Sequence, residues 1–135
     1  MDKTRYVISG SAFSSLEEFA THFSSVVLVD YKWNGNLDAF NDILRGGFGT
    51  PDSGFVLHWQ EHAISKERLG HAEMAARFER LLSTCHPSNI PSIEADLALA
   101  RAGRGPTLFD LLLEIIRDHG VGGSQAEDGV ELVLA

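Results

Sequence analysis

A single cysteine, Cys85, stands among 135 residues, so no disulfide within the chain can staple the fold. A lone thiol fits a reducing compartment. The opening MDKTRYVISG has no apolar run long enough for a signal peptide, and no stretch approaches the length of a membrane span. The expected location is the cytoplasm. Positive charge is scarce: 11 Lys and Arg stand against 19 Asp and Glu, for a net charge of -8. Phosphates would repel such a chain, which argues against direct nucleic-acid binding. A basic protein partner would instead be steered inward by the negative field. No heptad pattern invites self-pairing, and the charge keeps copies apart, so a monomer is expected. The clusters Gly46-Gly47-Phe48-Gly49 and Gly103-Arg104-Gly105 lack the Lys-Ser/Thr that follows a phosphate loop, and read as plain connections. Repeats and low-complexity tracts are also missing.

Hydrophobic residues make up 44% of the chain and charged residues 22%, the balance of a soluble globular protein. The length suits one domain, 1–135, large enough to bury an ordinary core. RYVISG (Arg5 to Gly10) reads as a first strand ended by glycine. Ser14 and Glu17 have capping-box spacing, and Leu16, Phe19, Ala20 and Phe23 then mark the apolar face of a helix whose tail takes in VVLVD. NGN at Asn34 to Asn36 is a turn and a cap. Leu37, Phe40 and Leu44, with Ile43 alongside, give a second short helix. GGFGTPDSG is a loop, GFVLHW (Gly54 to Trp59) a buried strand, and QEHAISKERLG a short helix stopped by Gly70. HAEMAARFERLLSTC and IEADLALARAG, broken by HPSNIPS, form a helical hairpin inserted at about 70–105. Its stripe Met74, Phe78, Leu81 and Leu82 is expected to pack on the body of the domain, away from any binding face. PTLFDLLLEIIRDHG is a strong helix capped by Thr107 with Asp110 three residues on, apolar on more than one side. GVELVLA closes the chain as a strand. Strands separated by helices favour an α/β fold with a small parallel sheet and helical crossovers.

The second helix carries the feature with most chemical content. With Leu37, Phe40 and Leu44 facing inward, Asp38, Asn41, Asp42 and Arg45 fall on an outward stripe. Two carboxylates on neighbouring turns repel each other, which a solvated face tolerates and a basic partner relieves. Tyr31 and Trp33 flank the stripe. Exposed aromatics beside charge are material for an interface hot spot, although Trp33 can equally be a core anchor. A catalytic carboxylate pair would need a cleft and a third group, and neither is evident.

HWQEH at His58 to His62 matches the H-x-x-E-H pattern of zinc proteases. The chemistry needs both histidines one turn apart on a helix, with Glu61 as base. His58 belongs to the GFVLHW strand, so that geometry is not expected, and a zinc hydrolase is the weaker alternative. Cys85 and His86 are adjacent only in sequence, and Cys85 reads as a buried structural thiol. His22, His71 and His119 are expected at the surface or at helix ends. No cofactor or metal is expected.

YKWNGNLDAFNDIL resembles the signature block of the barstar family, intracellular inhibitors of barnase-type ribonucleases: an aromatic pair, a glycine, Asn-Leu-Asp-Ala, then a further Asp and a Leu. The YVISG strand, the GFVLHW strand with its short helix, and FDLLLEIIRDHG…GVELVLA support the resemblance, which covers about two-thirds of the chain. The resemblance implies a three-stranded parallel sheet packed with helices, with residues of about 70–105 as an insertion of a longer branch. It implies an inhibitor, not an enzyme, whose second helix enters the nuclease active site in place of RNA phosphates. Asp38 and Asp42 match the family's helix aspartates, and Tyr31, Lys32 and Trp33 cover its loop aromatics. Phe48 lies where the family has an apolar contact. Asn41 stands in place of a tryptophan, Gly47 in place of another aromatic, and Lys32 in place of a contacting tyrosine. Glu114 is one place off the family's later glutamate, with Ile115 in the simple register. These departures imply a diverged ribonuclease or a toxin for which the chain is the immunity protein. A general interaction domain that has lost its nuclease is the remaining alternative.

Overall fold

The computed structural model describes residues 3–28, 30–46, 48–51 and 53–135. Three strands, β1 (Thr4–Ser9), β2 (Phe55–Gln60) and β3 (Glu131–Leu134), form a parallel sheet in the order β1-β2-β3. Six helices separate them: α1 (Leu16–Val27), α2 (Leu37–Arg45), α3 (His62–Arg68), α4 (His71–Leu82), α5 (Ile90–Arg101) and α6 (Leu108–Asp118). The α/β architecture is the one expected. The register pairs Tyr6 with Leu57, Ile8 with Trp59, and then Leu57 with Leu132 and Trp59 with Leu134. Paired residues of a parallel sheet share a face, so these side chains make one apolar surface. Phe55, Leu57 and Trp59 of the central strand are wholly withdrawn from solvent. The opposite face carries Arg5, Val7, His58, Glu131 and Val133 and stays largely open, with Val7 and Val133 exposed.

An aromatic layer joins sheet to helices. Phe19 of α1 stacks on Trp59 at 5.4 Å, and Phe13 and Phe109 meet the same indole edge-on. Trp33 stacks on Phe40 of α2 at 4.5 Å. Each buried indole N–H has an acceptor: Trp59 donates to Ser65 Oγ (2.9 Å) and Trp33 to the Asn36 carbonyl (2.7 Å). Burial of the rings therefore carries no stranded donor. At Gly10 a Cβ would lie 2.2 Å from the Glu61 carbonyl, so only glycine lets the end of β1 approach the start of α3.

The helix starts are mostly those expected, with one shift. Thr107 and Asp110 form a reciprocal capping box on α6. On α1 the cap is Ser15, not Ser14: its hydroxyl accepts from Glu18 N–H, and Glu18 reaches back to the N–H and hydroxyl of Ser14. Helix α1 ends at Val27, so only the first two residues of the expected tail VVLVD are helical: Leu28 is already extended, Asp30 takes φ +55°, and Val29 lies outside the described residues.

Helices α4 and α5 pack on each other, with Arg101 and Glu79 2.9 Å apart. The two ends of this hairpin meet at a neck. Phe109 N–H donates to the Leu69 carbonyl at 2.9 Å, and a ring nitrogen of His71 lies 2.9 Å from the Gly105 carbonyl. Met74 is buried, while Phe78 and Leu82 are partly buried against the core. α5 starts at Ile90, ahead of its expected start at Ile93, and only Leu97 and Ala100 of it are buried. Among the described residues no helix is long and apolar enough to cross a membrane.

Candidate protein-binding face

Helix α2 is held at both ends and along one side. Gly35 takes φ +97°, a conformation that suits glycine, and Asn34 Oδ1 accepts from Asn36 N–H at 3.0 Å. Asn36 then caps the helix, accepting from Ala39 N–H at 3.0 Å. Asp38 in the first turn and Arg45 in the last suit the helix dipole. Phe40, Ile43 and Leu44 are buried, and Leu37 is partly so.

The other side carries the charge. Asp38 and Asp42 are exposed. Arg45 lies 3.5 Å from Asp42, with both side chains more than half accessible, so the pair contributes little to stability. Arg45 Nε also donates to Gln125 Oε1 at 2.6 Å. Tyr31 and Lys32 are exposed, and the Tyr31 ring rests 4.9 Å from the half-buried Phe48. Asp38, Asp42 and Arg45 run along the length of α2, and Phe48 follows its last turn.

Two expectations need correction, and a third residue, His119, is more buried than a helix end requires. Trp33 is only 1% exposed and belongs to the aromatic layer, so it presents no ring to a partner. Asn41 does not face outward: its Oδ1 accepts from Gln125 Nε2 at 3.3 Å and lies 2.6 Å from Nε2 of His119. His119 is at a helix end, as expected, but it is wholly buried, with Nδ1 2.6 Å from Asp128 Oδ2. The network ties α2 to the end of α6 and to the turn before β3. Sequence reasoning missed His119 and Gln125, because nothing near either residue signals a partner some eighty positions away. Glu114 is exposed on α6 beside Asp110, Arg117 and Asp118, and among the described residues it makes no ion pair or hydrogen bond to α2. Gly47 lies outside the described residues.

The hairpin also departs from expectation. A groove of about 480 Å³ separates the start of α2 from the end of α4, lined by Glu17, Asn36, Asp38, Arg77, Arg80 and Thr84 among others. Arg80 pairs with Glu17 at 3.1 Å. Burial lowers the pKa of Arg77 and the nearby Asp38 opposes that shift, so the hairpin borders the acidic stripe. Leu81 lines this groove and is not part of the core packing.

The H-x-x-E-H residues do not converge. His58 sits on β2 against Arg5, Glu61 accepts from Ser9 Oγ at 3.1 Å, and His62 starts α3 with Nδ1 2.9 Å from the Ala135 carbonyl. Hydrogen bonds from Ser11 and Ser9 hold the Glu61 carboxyl below the usual carboxylate range, which makes it a poor base. Among the described residues no three His, Cys, Asp or Glu side chains gather as metal ligands. Cys85 is half-buried, not fully buried, in the turn after α4, and His86 caps the next turn through Ser88.

A family model described as Barstar (barnase inhibitor) matches residues 4–91. The matched span takes in β1, α1, α2, β2, α3 and α4, and stops in the first turn of α5. No curated protein matches the chain.

Proposed function

From a chain that belongs to the Barstar (barnase inhibitor) family, we propose an intracellular inhibitor of a barnase-type ribonuclease that blocks the active site with the outer side of α2. The observation that carries this reading is the pair Asp38 and Asp42, exposed on a helix whose inner side is locked by Phe40, Ile43 and Leu44. Ionised carboxylates offer the oxygens that Arg, Lys and His of a nuclease otherwise direct at RNA phosphates. The scaffold holds them before binding, so little ordering cost falls on association. Arg45 is the weak internal partner that a nuclease cation displaces from Asp42. Tyr31, Lys32 and Phe48 form the rim. The net charge of -8 should make association fast and salt-sensitive. The barnase–barstar pair is itself a standard case of such steering, so the direction of the effect and not its size is the prediction.

The test is titration of barnase with wild type, Asp42→Ala and Asp42→Asn, each checked for fold by circular dichroism. Asp42→Ala should weaken inhibition by about 2 kcal/mol or more, a general hot-spot threshold whose extreme example is a barstar aspartate. A well-folded Asp42→Ala that inhibits as tightly as wild type excludes phosphate mimicry by this helix. A second reading, an immunity protein for a different nuclease toxin, is favoured by Asn41 and Trp33: both point into the fold, leaving the face poorer in contacts than the sequence suggests.

A further inference from the structure

The groove between α2 and α4 contains two cations and two anions, and only one of each is already used. Glu17 and Arg80 pair with each other at 3.1 Å. Arg77 and Asp38 are left. Asp38's charge is felt at Arg77, yet no salt bridge forms between them, and among the described residues no ion pair or hydrogen bond engages the Arg77 guanidinium. Its close neighbour is the Phe78 ring, 5.6 Å away on the adjacent residue. The half-buried Arg77 guanidinium keeps its five donors open to solvent, where an oxygen anion from outside would match their fork.

The anion is not a free phosphate. Asp38 and Glu17 share the walls with Arg77 and Arg80, so the groove has no net positive charge to hold a lone anion. A purely basic segment fits no better: with Glu17 and Arg80 paired, it would gain Asp38 and meet Arg77. The arrangement matches a protein segment that carries a cation and a carboxylate close together. Asp38 both lines the groove and is the N-terminal end of the stripe assigned above to the nuclease, so one partner touching the stripe at Asp38 also meets the groove. We propose that the α2–α4 groove is a second contact for that same nuclease, with a basic side chain on Asp38 and an acidic one on Arg77. Arg77 would then determine which nuclease is accepted. The proposal rests on the inhibitor reading and adds α4 to its surface.

The sign of one substitution separates the possibilities. Arg77→Met keeps the aliphatic stem and removes the charge. If the nuclease brings only cations to this side, loss of Arg77 removes a repulsion and binding tightens. If it brings a carboxylate, binding weakens. The probe is barnase, titrated calorimetrically against wild type, Arg77→Met, Arg77→Lys and Asp42→Ala, with each fold checked by thermal melt. We expect Arg77→Met to weaken binding by about tenfold and Arg77→Lys to recover part of the loss, because a lysine restores the charge without the fork. Unchanged or tighter binding by Arg77→Met, with Asp42→Ala weakened, overturns the groove contact and leaves the inhibitor reading standing. Unchanged binding by Asp42→Ala, or no binding by wild type, overturns both.

Discussion

On the inner side of α2, Phe40 lies flat on Trp33 at 4.5 Å and Ile43 and Leu44 are sealed from water; on the outer side, Asp38, Asp42 and Arg45 are open to it. The two sides share nine residues of helix and almost nothing else. The inner side derives its energy from apolar burial and ring packing, which act whether or not a partner is present. The outer side gains almost nothing in the free protein, since exposed carboxylates and a solvated ion pair stabilise little. On the proposed reading, stability and binding are therefore separable on one helix. Asn41 is the exception, because it sits on the border and is drawn inward by His119 and Gln125.

Breaking the inner side should produce the largest effect. Phe40 contacts Phe19, Phe23 and Trp33 through its ring, so Phe40→Ala opens a cavity inside the aromatic layer. The expected cost is about 3–5 kcal/mol, measured by denaturant titration. Asp42→Ala, in the same assay, should leave stability within about 0.5 kcal/mol of wild type. A large stability loss in Asp42→Ala would collapse the distinction between the two sides.

The border should lie between these extremes. His119→Ala removes the ring between Asp128 and Asn41, leaving Asn41 only the longer bond from Gln125, and empties a wholly buried site beside α2. Loss of a buried partner of this kind costs about 1–3 kcal/mol. Stability equal to wild type would show that the network is not a structural link.

How much of this division could be read from residue order depends on how local its cause is. The period of Leu37, Phe40 and Leu44 predicts the inner side because helical geometry alone decides it. Asn36, and Thr107 with Asp110, predict helix starts because a cap involves only neighbours. The cap of α1 is displaced by one because two serines precede two glutamates, and local chemistry accepts either pairing. Trp33 lies in a loop, where no periodicity says which way a ring points. Asn41 is one helical step from both sides, and its direction is decided by His119, distant in sequence. The orientation of α4, which brings Arg77 to Asp38, follows from how the hairpin docks on α1 and the core, which no single segment specifies.

The smallest effect tests whether the buried side is indifferent to charge. His22 of α1 is half-buried beside Phe13, and its Nε2 accepts the Ser9 N–H at 3.1 Å. Only the neutral ring can accept that bond. Burial lowers the His22 pKa below its ordinary value, in agreement with the geometry. The unfolded chain consequently takes up the proton at a higher pH than the folded one. Stability from this site is complete above the unfolded pKa and falls as pH drops through the folded one. His22 keeps some contact with solvent, so screening makes this loss small beside those of Phe40→Ala and His119→Ala. Urea midpoints at about pH 7.5 and about pH 5.5 bracket the ordinary histidine range. His22→Gln keeps an oxygen acceptor and removes the titration, so the variant should lose less stability on acidification than wild type. Equal losses in the two proteins would show that His22 does not contribute to the acid sensitivity of the core.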